Sequence, residues 1–98
     1  MPVRPIRLSP AAATDLRKIR QYTVEQWGLE QWLRYSDELD RRFEQLSKNP
    51  ALGPVRDEIR PSLRSVPMGS HIVWYRMRVE DLEIVRVLHA TMDPKMRL

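Results

Sequence analysis

The sequence predicts an α+β fold of order β-α-α-β-β-β, in which an antiparallel sheet is packed on one face by an N-terminal helical hairpin. Three observations predict it. Residues 3–8 form a short alternating run, residues 10–47 carry two stretches of helical periodicity, and the second half holds β-branched and aromatic runs separated by turn residues. Strands that follow consecutive helices in this way indicate a sheet with its helices on one side.

Each helix has start and stop signals. Ser9-Pro10 is typical of an N-cap followed by proline at the first helical position, and Gly28 suits the C′ position. A second helix begins near Leu29 and ends before Asn49-Pro50, so that the two helices form a tight hairpin. At helical spacing the aromatic residues are expected in the core rather than on a surface that stacks bases. The predicted apolar stripes are Ala12, Leu16, Ile19, Tyr22 or Thr23, and Trp27 in the first helix, and Trp32, Tyr35, Leu39, Phe43 and Leu46 in the second.

The last two β runs, 70–76 and 84–89, flank a polar segment at 78–81 and predict a hairpin. A short strand at 63–66 precedes them, and Pro61 and Pro67 on its flanks disfavour a central position. If Met77 faces Leu82, then Trp74 opposes Val85. A register of the other parity would pair Trp74 with Arg86 and set Arg86 beneath the helices. Burying this arginine costs several kcal/mol unless its charge is paired. We therefore expect Trp74, Ile72, Val85, Val87 and His89 to face the helices.

The opposite face of the hairpin would then be apolar, aromatic and cationic at once, and such exposed surfaces usually bind a partner. The candidate partner-binding residues are Arg64, His71, Val73, Tyr75, Arg76, Arg86 and Leu88.

Length and composition restrict the function classes. With 98 residues and a 42% hydrophobic fraction, we expect one domain spanning 1–98. The absence of cysteine excludes disulfides and thiolate chemistry. No apolar run reaches the roughly 20 residues of a membrane span and no signal-peptide pattern is present, so we expect a cytoplasmic protein without membrane contact. The net charge of +4 arises outside the neutral segment 9–48, which favours an anionic partner, although it also suits ordinary solubility.

Conventional catalytic motifs are absent: there is no Walker loop, dinucleotide-binding fingerprint or zinc-protease motif. His71 and His89 alone are poor evidence for a metal, and we expect no catalytic residue, metal or cofactor. The enzymatic alternative is a metal-independent ribonuclease, which can use cations to hold phosphate and one side chain to move a proton. Its candidate groups would be Arg64, His71, Arg76, Arg86, His89 and Arg97.

Several segments, in the same order, resemble the ParE toxin family of the RelE/ParE superfamily of type II toxin–antitoxin systems. They are Leu8-Ser9-Pro10-Ala11-Ala12 with Asp15-Leu16, Asn49-Pro50-Ala51-Leu52-Gly53, Asp57-Glu58-Ile59-Arg60-Pro61, Leu63-Arg64-Ser65, Gly69 to Arg76, and Ile84 to His89. The chain departs from the family where Ser62 replaces a usual glycine, and where Ala90 and Met92 replace a more usual glycine and arginine.

The resemblance implies the same β-α-α-β-β-β fold and two partners. One is a ParD-like antitoxin, whose disordered C-terminal segment would fold on the toxin in a hetero-oligomer. The other is DNA gyrase, which ParE toxins poison, blocking replication and arresting growth. The RelE branch instead cleaves mRNA on the ribosome with arginine, lysine and a C-terminal tyrosine. That tyrosine is missing here, and His71 falls roughly where that branch has an arginine.

Three hypotheses therefore remain: a gyrase inhibitor, a ribosome-dependent endoribonuclease, and an inactive toxin that only binds its antitoxin.

Overall fold

The computed structural model describes residues 3–98 and contains four strands and three helices in this part of the chain. The elements are β1 (Ile6–Leu8), α1 (Pro10–Trp27), α2 (Leu29–Lys48), β2 (Arg64–Met68), β3 (His71–Met77), β4 (Leu82–His89) and α3 (Pro94–Arg97). The strands form one sheet in the order β1-β4-β3-β2. The predicted fold class is confirmed, and the short α3 adds one turn of helix that the sequence pattern did not indicate.

The helical hairpin follows its capping signals. The Ser9 hydroxyl accepts a hydrogen bond from the Ala12 N–H at 2.9 Å, and Pro10 occupies the first helical position. Gly28 separates the helices with φ of 92°, a conformation that favours glycine. No helix in residues 3–98 is both long and apolar enough to cross a membrane.

The direction of β1 differs from the prediction of an antiparallel sheet. β1 runs parallel to β4, so the sheet is mixed. The Leu82 N–H donates to the Pro5 carbonyl at 2.9 Å, and the Ser9 N–H donates to the Ile84 carbonyl at 3.0 Å. A three-residue strand shows the same alternation in either direction, so its sequence carries no information on this point.

The β3–β4 register agrees with the prediction only near the turn. Met77 pairs with Leu82 and Tyr75 with Ile84, as expected, but Trp74 pairs with Arg86 instead of Val85. A β-bulge on β4, opposite the step from Trp74 to Tyr75, leaves Val85 without a partner. The bulge shifts the rest of β4 by one residue, so that Val87 lies opposite Val73.

The predicted assignment of faces is consequently wrong for Ile72, Trp74 and Val85, which lie on the face away from the helices, whereas Val87 faces the helices as predicted. Val73, Tyr75 and Val87 pack with Ala12, Leu39 and Leu46 in the core beneath α1 and α2. In the predicted regular register, turning Val73 and Tyr75 toward the helices would turn Arg86 toward them as well. The bulge removes that conflict.

A second core covers the opposite face of the sheet. Trp74, 2% exposed, and Leu88 pack there with Leu63, Val85 and the partly buried Leu98. The Arg56 guanidinium lies 5.1 Å from the centre of the Trp74 ring, a cation–π contact. The face that we expected to be open is therefore covered by the loop before β2 and by the C-terminus.

Tyr75 fastens that loop to the sheet. Its buried hydroxyl donates to the Pro50 carbonyl at 2.8 Å and accepts from the Gly53 N–H at 2.7 Å. A side chain at Gly53 would collide with the Ser65 carbonyl and the same hydroxyl. Burial raises the pKa of Tyr75, which keeps the hydroxyl protonated as the first hydrogen bond requires.

Replacing Tyr75 by phenylalanine is expected to lower the free energy of unfolding by about 1–3 kcal/mol, because a buried carbonyl and a buried N–H lose their partner. Urea denaturation followed by tryptophan fluorescence measures the change. Tyr22→Phe is the matched control, since Tyr22 is exposed. Equal effects in the two variants would show that the Tyr75 hydroxyl does not stabilise the fold.

Candidate functional site

A groove of about 570 Å³ lies between the helical hairpin and one end of the β3–β4 hairpin. It is lined by Lys18, Ile19, Tyr22, Thr23, Trp27, Gln31, Tyr35, Ser70, His71, His89, Thr91 and Met92. Trp27 is 71% exposed and Tyr22 62% exposed, so the rim presents large aromatic surfaces to solvent. This docking groove therefore combines apolar walls with a few polar groups, as binding sites commonly do.

Three aromatic rings meet at the inner end of the docking groove. The Tyr35 hydroxyl lies 2.9 Å from Nδ1 of His71, and the two rings meet edge to face with centres 5.6 Å apart. The rings of His71 and His89, which pair across β3 and β4, are also perpendicular, at 5.5 Å. Residues from α2, β3 and β4 thus form one cluster, which we call the Tyr–His cluster.

Burial controls the charge state of the Tyr–His cluster. It raises the pKa of Tyr35 to about 12, with a smaller contribution from Glu38, so the phenol stays protonated near neutral pH. Burial also lowers the pKa of His71, as does the neighbouring His89, whereas Asp15 acts in the opposite direction. The neutral form of His71 is therefore favoured in the free protein.

An ion pair lies in a smaller cavity of about 130 Å³ that shares Lys18, His71 and His89 with the groove. Arg86 donates from Nε and Nη2 to the two carboxylate oxygens of Asp15 on α1, at 2.7 and 2.8 Å. Asp15 also accepts from the Val87 N–H at 3.0 Å, and Arg86 reaches the Arg97 carbonyl at 2.6 Å. The Asp15 hydrogen bond raises the pKa of Arg86. This bidentate pair explains how β4 accommodates an arginine among apolar residues.

The sequence-predicted partner residues do not share one surface. Val73, Tyr75 and Leu88 are buried, so the exposure on which their selection depended is wrong. His71 lies in the docking groove on the helical side, not on the opposite face, and Arg86 is held by Asp15.

The two remaining arginines lie away from the groove. Arg64 donates to the Gly53 carbonyl at 2.7 Å beside the Tyr75 contacts, and Arg76 pairs with Glu83 at 2.8 Å near the hairpin turn. The structure does not bring either of them to the Tyr–His cluster, and their role as partner-binding residues stays a prediction.

Sequence reasoning missed Lys18, Trp27 and Tyr35 as residues of a site. Trp27 continues the helical stripe and is predicted in the core, but it is the last residue of α1 and its side chain is exposed. Tyr35 packs partly on the core, as predicted, while its hydroxyl contacts His71 in the groove. The pairing of the two histidines could have been found from the alternative hairpin register.

Residues 3–98 contain no group of three or more histidine or carboxylate side chains arranged to hold a metal ion. Nδ1 of His89 is occupied by Thr91, whose hydroxyl lies 2.7 Å away and whose N–H donates to it at 3.2 Å.

A sequence profile described as "ParE toxin of type II toxin-antitoxin system, parDE" matches residues 6–94. The chain is 38% identical to Toxin ParE1 of Caulobacter vibrioides over 98% of this chain and 99% of that protein. It is 41% identical to Toxin ParE1 of Mycobacterium tuberculosis, over 88% of this chain and 89% of that protein.

Two solved structures share the fold. One is the chromosomal ParDE toxin–antitoxin system from P. aeruginosa, with a TM-score of 0.76 and 19% identity over 91% of this chain and 98% of that chain. The other is the toxin–antitoxin complex RelBE2 from Mycobacterium tuberculosis, with a TM-score of 0.65 and 20% identity over 89% and 98%.

The lowered pKa of His71 predicts a specific pH dependence of stability. The unfolded chain takes up the His71 proton first, near pH 6.5, so the folded state loses stability as the pH falls below that value. Between pH 8 and 5.5 the melting temperature of the wild type should therefore fall by roughly 2–5 °C more than that of His71→Gln. Circular dichroism melts measure this difference, and parallel pH profiles would contradict it.

Proposed function

Because the chain belongs to the ParE toxin family of type II toxin–antitoxin systems, we propose that it inhibits DNA gyrase and is neutralised by direct binding of a ParD-like antitoxin. The family predicted from the sequence is confirmed by the profile match and by relatives that share 38–41% identity over most of their length. The protein is accordingly a toxin of a type II system. Its target and its partner are what we add as a proposal.

The docking groove is the observation that supports an antitoxin partner. Its rim exposes Trp27 and Tyr22, and Leu29 and Leu33 on the adjoining part of α2 are also more than half exposed. Aromatic side chains in a concave surface are typical anchors of protein interfaces. An amphipathic helix is the kind of partner whose apolar face would cover these residues.

Charge indicates the character of that helix. The groove lining contains Lys18 and two histidines, and within residues 3–98 none of its side chains is a carboxylate. Lys18, Arg86 and Arg97 line the adjoining cavity, where Asp15 is already paired with Arg86. An acidic amphipathic segment complements this surface and would be attracted to it over a distance.

Family membership supports gyrase as the target, because inhibition of gyrase is what resemblance to ParE toxins implies. The C-terminal segment 90–98 contains no tyrosine, unlike the RelE-type ribonucleases. Binding to gyrase needs no catalytic group of the toxin itself, and the reaction that damages DNA is that of the inhibited enzyme. Gyrase acts on chromosomal DNA, so this proposal also places the toxin in the cytoplasm.

One observation favours the second candidate, a ribosome-dependent mRNA endoribonuclease. Tyr35, His71 and His89 lie together beside Lys18, which supplies more proton-transfer and phosphate-binding groups than the sequence alone indicated. Such groups can cleave RNA without a metal. Purified components distinguish the two functions.

We expect purified toxin to abolish supercoiling of relaxed plasmid by gyrase, with accumulation of linear DNA, and to leave mRNA intact on translating ribosomes. Toxin mixed beforehand with antitoxin is the control and should restore supercoiling. mRNA cuts at codon spacing with normal gyrase activity would contradict the proposal and establish the ribonuclease. Growth without arrest when the toxin is expressed alone would instead indicate an inactive toxin.

Replacing Lys18 by glutamate should weaken antitoxin binding at least tenfold, because an acidic helix would meet a like charge in the groove. Isothermal titration calorimetry measures the dissociation constant. Arg41→Glu is the matched control, since Arg41 is exposed on α2 and does not line the groove. Equal effects of the two substitutions would show that only the net charge matters and that the groove is not the binding site.

A further inference from the structure

We propose that His71 is the subsite of the docking groove that binds a carboxylate of the antitoxin, and that it takes up a proton as it does so. This inference rests on the proposed docking of the antitoxin in the groove. It names the residue that recognises the acidic segment, and it makes antitoxin binding dependent on pH. Geometry, hydrogen bonding and the surrounding charges each support it.

The hydrogen bonds of His71 leave one ring nitrogen available. The Tyr35 hydroxyl occupies Nδ1 at 2.9 Å, and Nε2 has no hydrogen-bond partner within residues 3–98. Since His71 lines the groove, Nε2 is the atom of its ring that an incoming group can contact. A carboxylate accepts a strong, charge-assisted hydrogen bond from an imidazolium N–H.

Tyr35 allows His71 to change its protonation state without losing its support. When the imidazole is neutral, the phenol can donate to Nδ1. When the imidazole is protonated, the phenol oxygen can accept from Nδ1–H instead. Because the pKa of Tyr35 is about 12, the phenol keeps its own proton in both states.

His89 is held by Thr91 instead of by a tyrosine. Its Nδ1 lies 2.7 Å from the Thr91 hydroxyl and accepts from the Thr91 N–H at 3.2 Å. It places a second imidazole beside His71, which lowers the pKa of His71.

The charged groups around His71 explain why a partner is needed for protonation. On α1, Asp15 is committed to Arg86 and to the Val87 N–H, and Lys18 adds positive charge. On α2, Tyr35 is neutral and Glu38 acts on it; from the C-terminal segment, Arg97 adds further positive charge. A carboxylate brought by the antitoxin would supply the missing opposite charge and favour the imidazolium.

The test is titration calorimetry of the full-length toxin with the antitoxin encoded beside it, from pH 6 to 8, in buffers of different ionisation enthalpy. We expect uptake of close to one proton per complex. The association constant should increase up to about tenfold for each unit by which the pH falls, the limit set by one proton.

His71→Gln should abolish the proton uptake and flatten the pH profile, so that its loss of affinity relative to the wild type is largest at the acidic end of the range. Arg41→Gln is the control, since Arg41 is exposed on α2 outside the groove, and it should retain both. The chain contains two histidines, so the ring NMR signal that disappears in His71→Gln identifies His71. A pH titration of the histidine ring signals in free and antitoxin-bound wild-type toxin reports on His71 even if a variant fails to fold.

Binding without proton uptake, or with uptake that persists in His71→Gln, would overturn this inference and leave antitoxin docking intact. A His71 signal that titrates identically in free and bound toxin would do the same. Failure of the antitoxin to bind at any pH would overturn the proposed partner as well.

Discussion

The carboxylate of Asp15 is the contact on which the arrangement of helices, sheet and groove depends. β1 ends at Leu8, and beyond that point no strand among residues 3–98 lies along the outer edge of β4. Asp15 occupies this position and accepts the Val87 N–H while it pairs with Arg86. One side chain of α1 thus satisfies a strand edge, neutralises a partly buried cation and fixes the distance from the helical hairpin to the strand that carries His89.

Local signals in the sequence determined the helices almost to the residue. Ser9-Pro10, Gly28 and Asn49-Pro50 act through the backbone conformation of a few neighbouring residues, so they can be recognised without knowledge of the rest of the chain. The positions of the hairpin strands were also predictable. The family was predictable because its segments occur in order along nearly the whole chain.

The faces of the sheet were not predictable, because they depend on contacts between distant residues. The alternation in β4 gives no sign that Val85 lacks a partner, and the bulge there is held by Ser9, whose N–H and hydroxyl bind the Ile84 and Val85 carbonyls. The second core likewise depends on Leu98, which lies outside the predicted strands, and on the loop that brings Leu63 over Trp74. Ser62 is a partial exception: it replaces a usual glycine and has φ of 63°, so the departure from the family pattern marks a real conformational requirement.

The unpaired Val85 also affects how this strand should be compared between related proteins. A chain with one residue fewer at this point could form a regular strand and still present Val87 and His89 to the helices, since the pairs beyond the bulge would stay the same. Insertions and deletions here are therefore compatible with one unchanged groove. An alignment anchored on His89 matches structurally equivalent positions of β4. An alignment anchored on the hairpin turn instead assigns residues of one sheet face to positions on the other face.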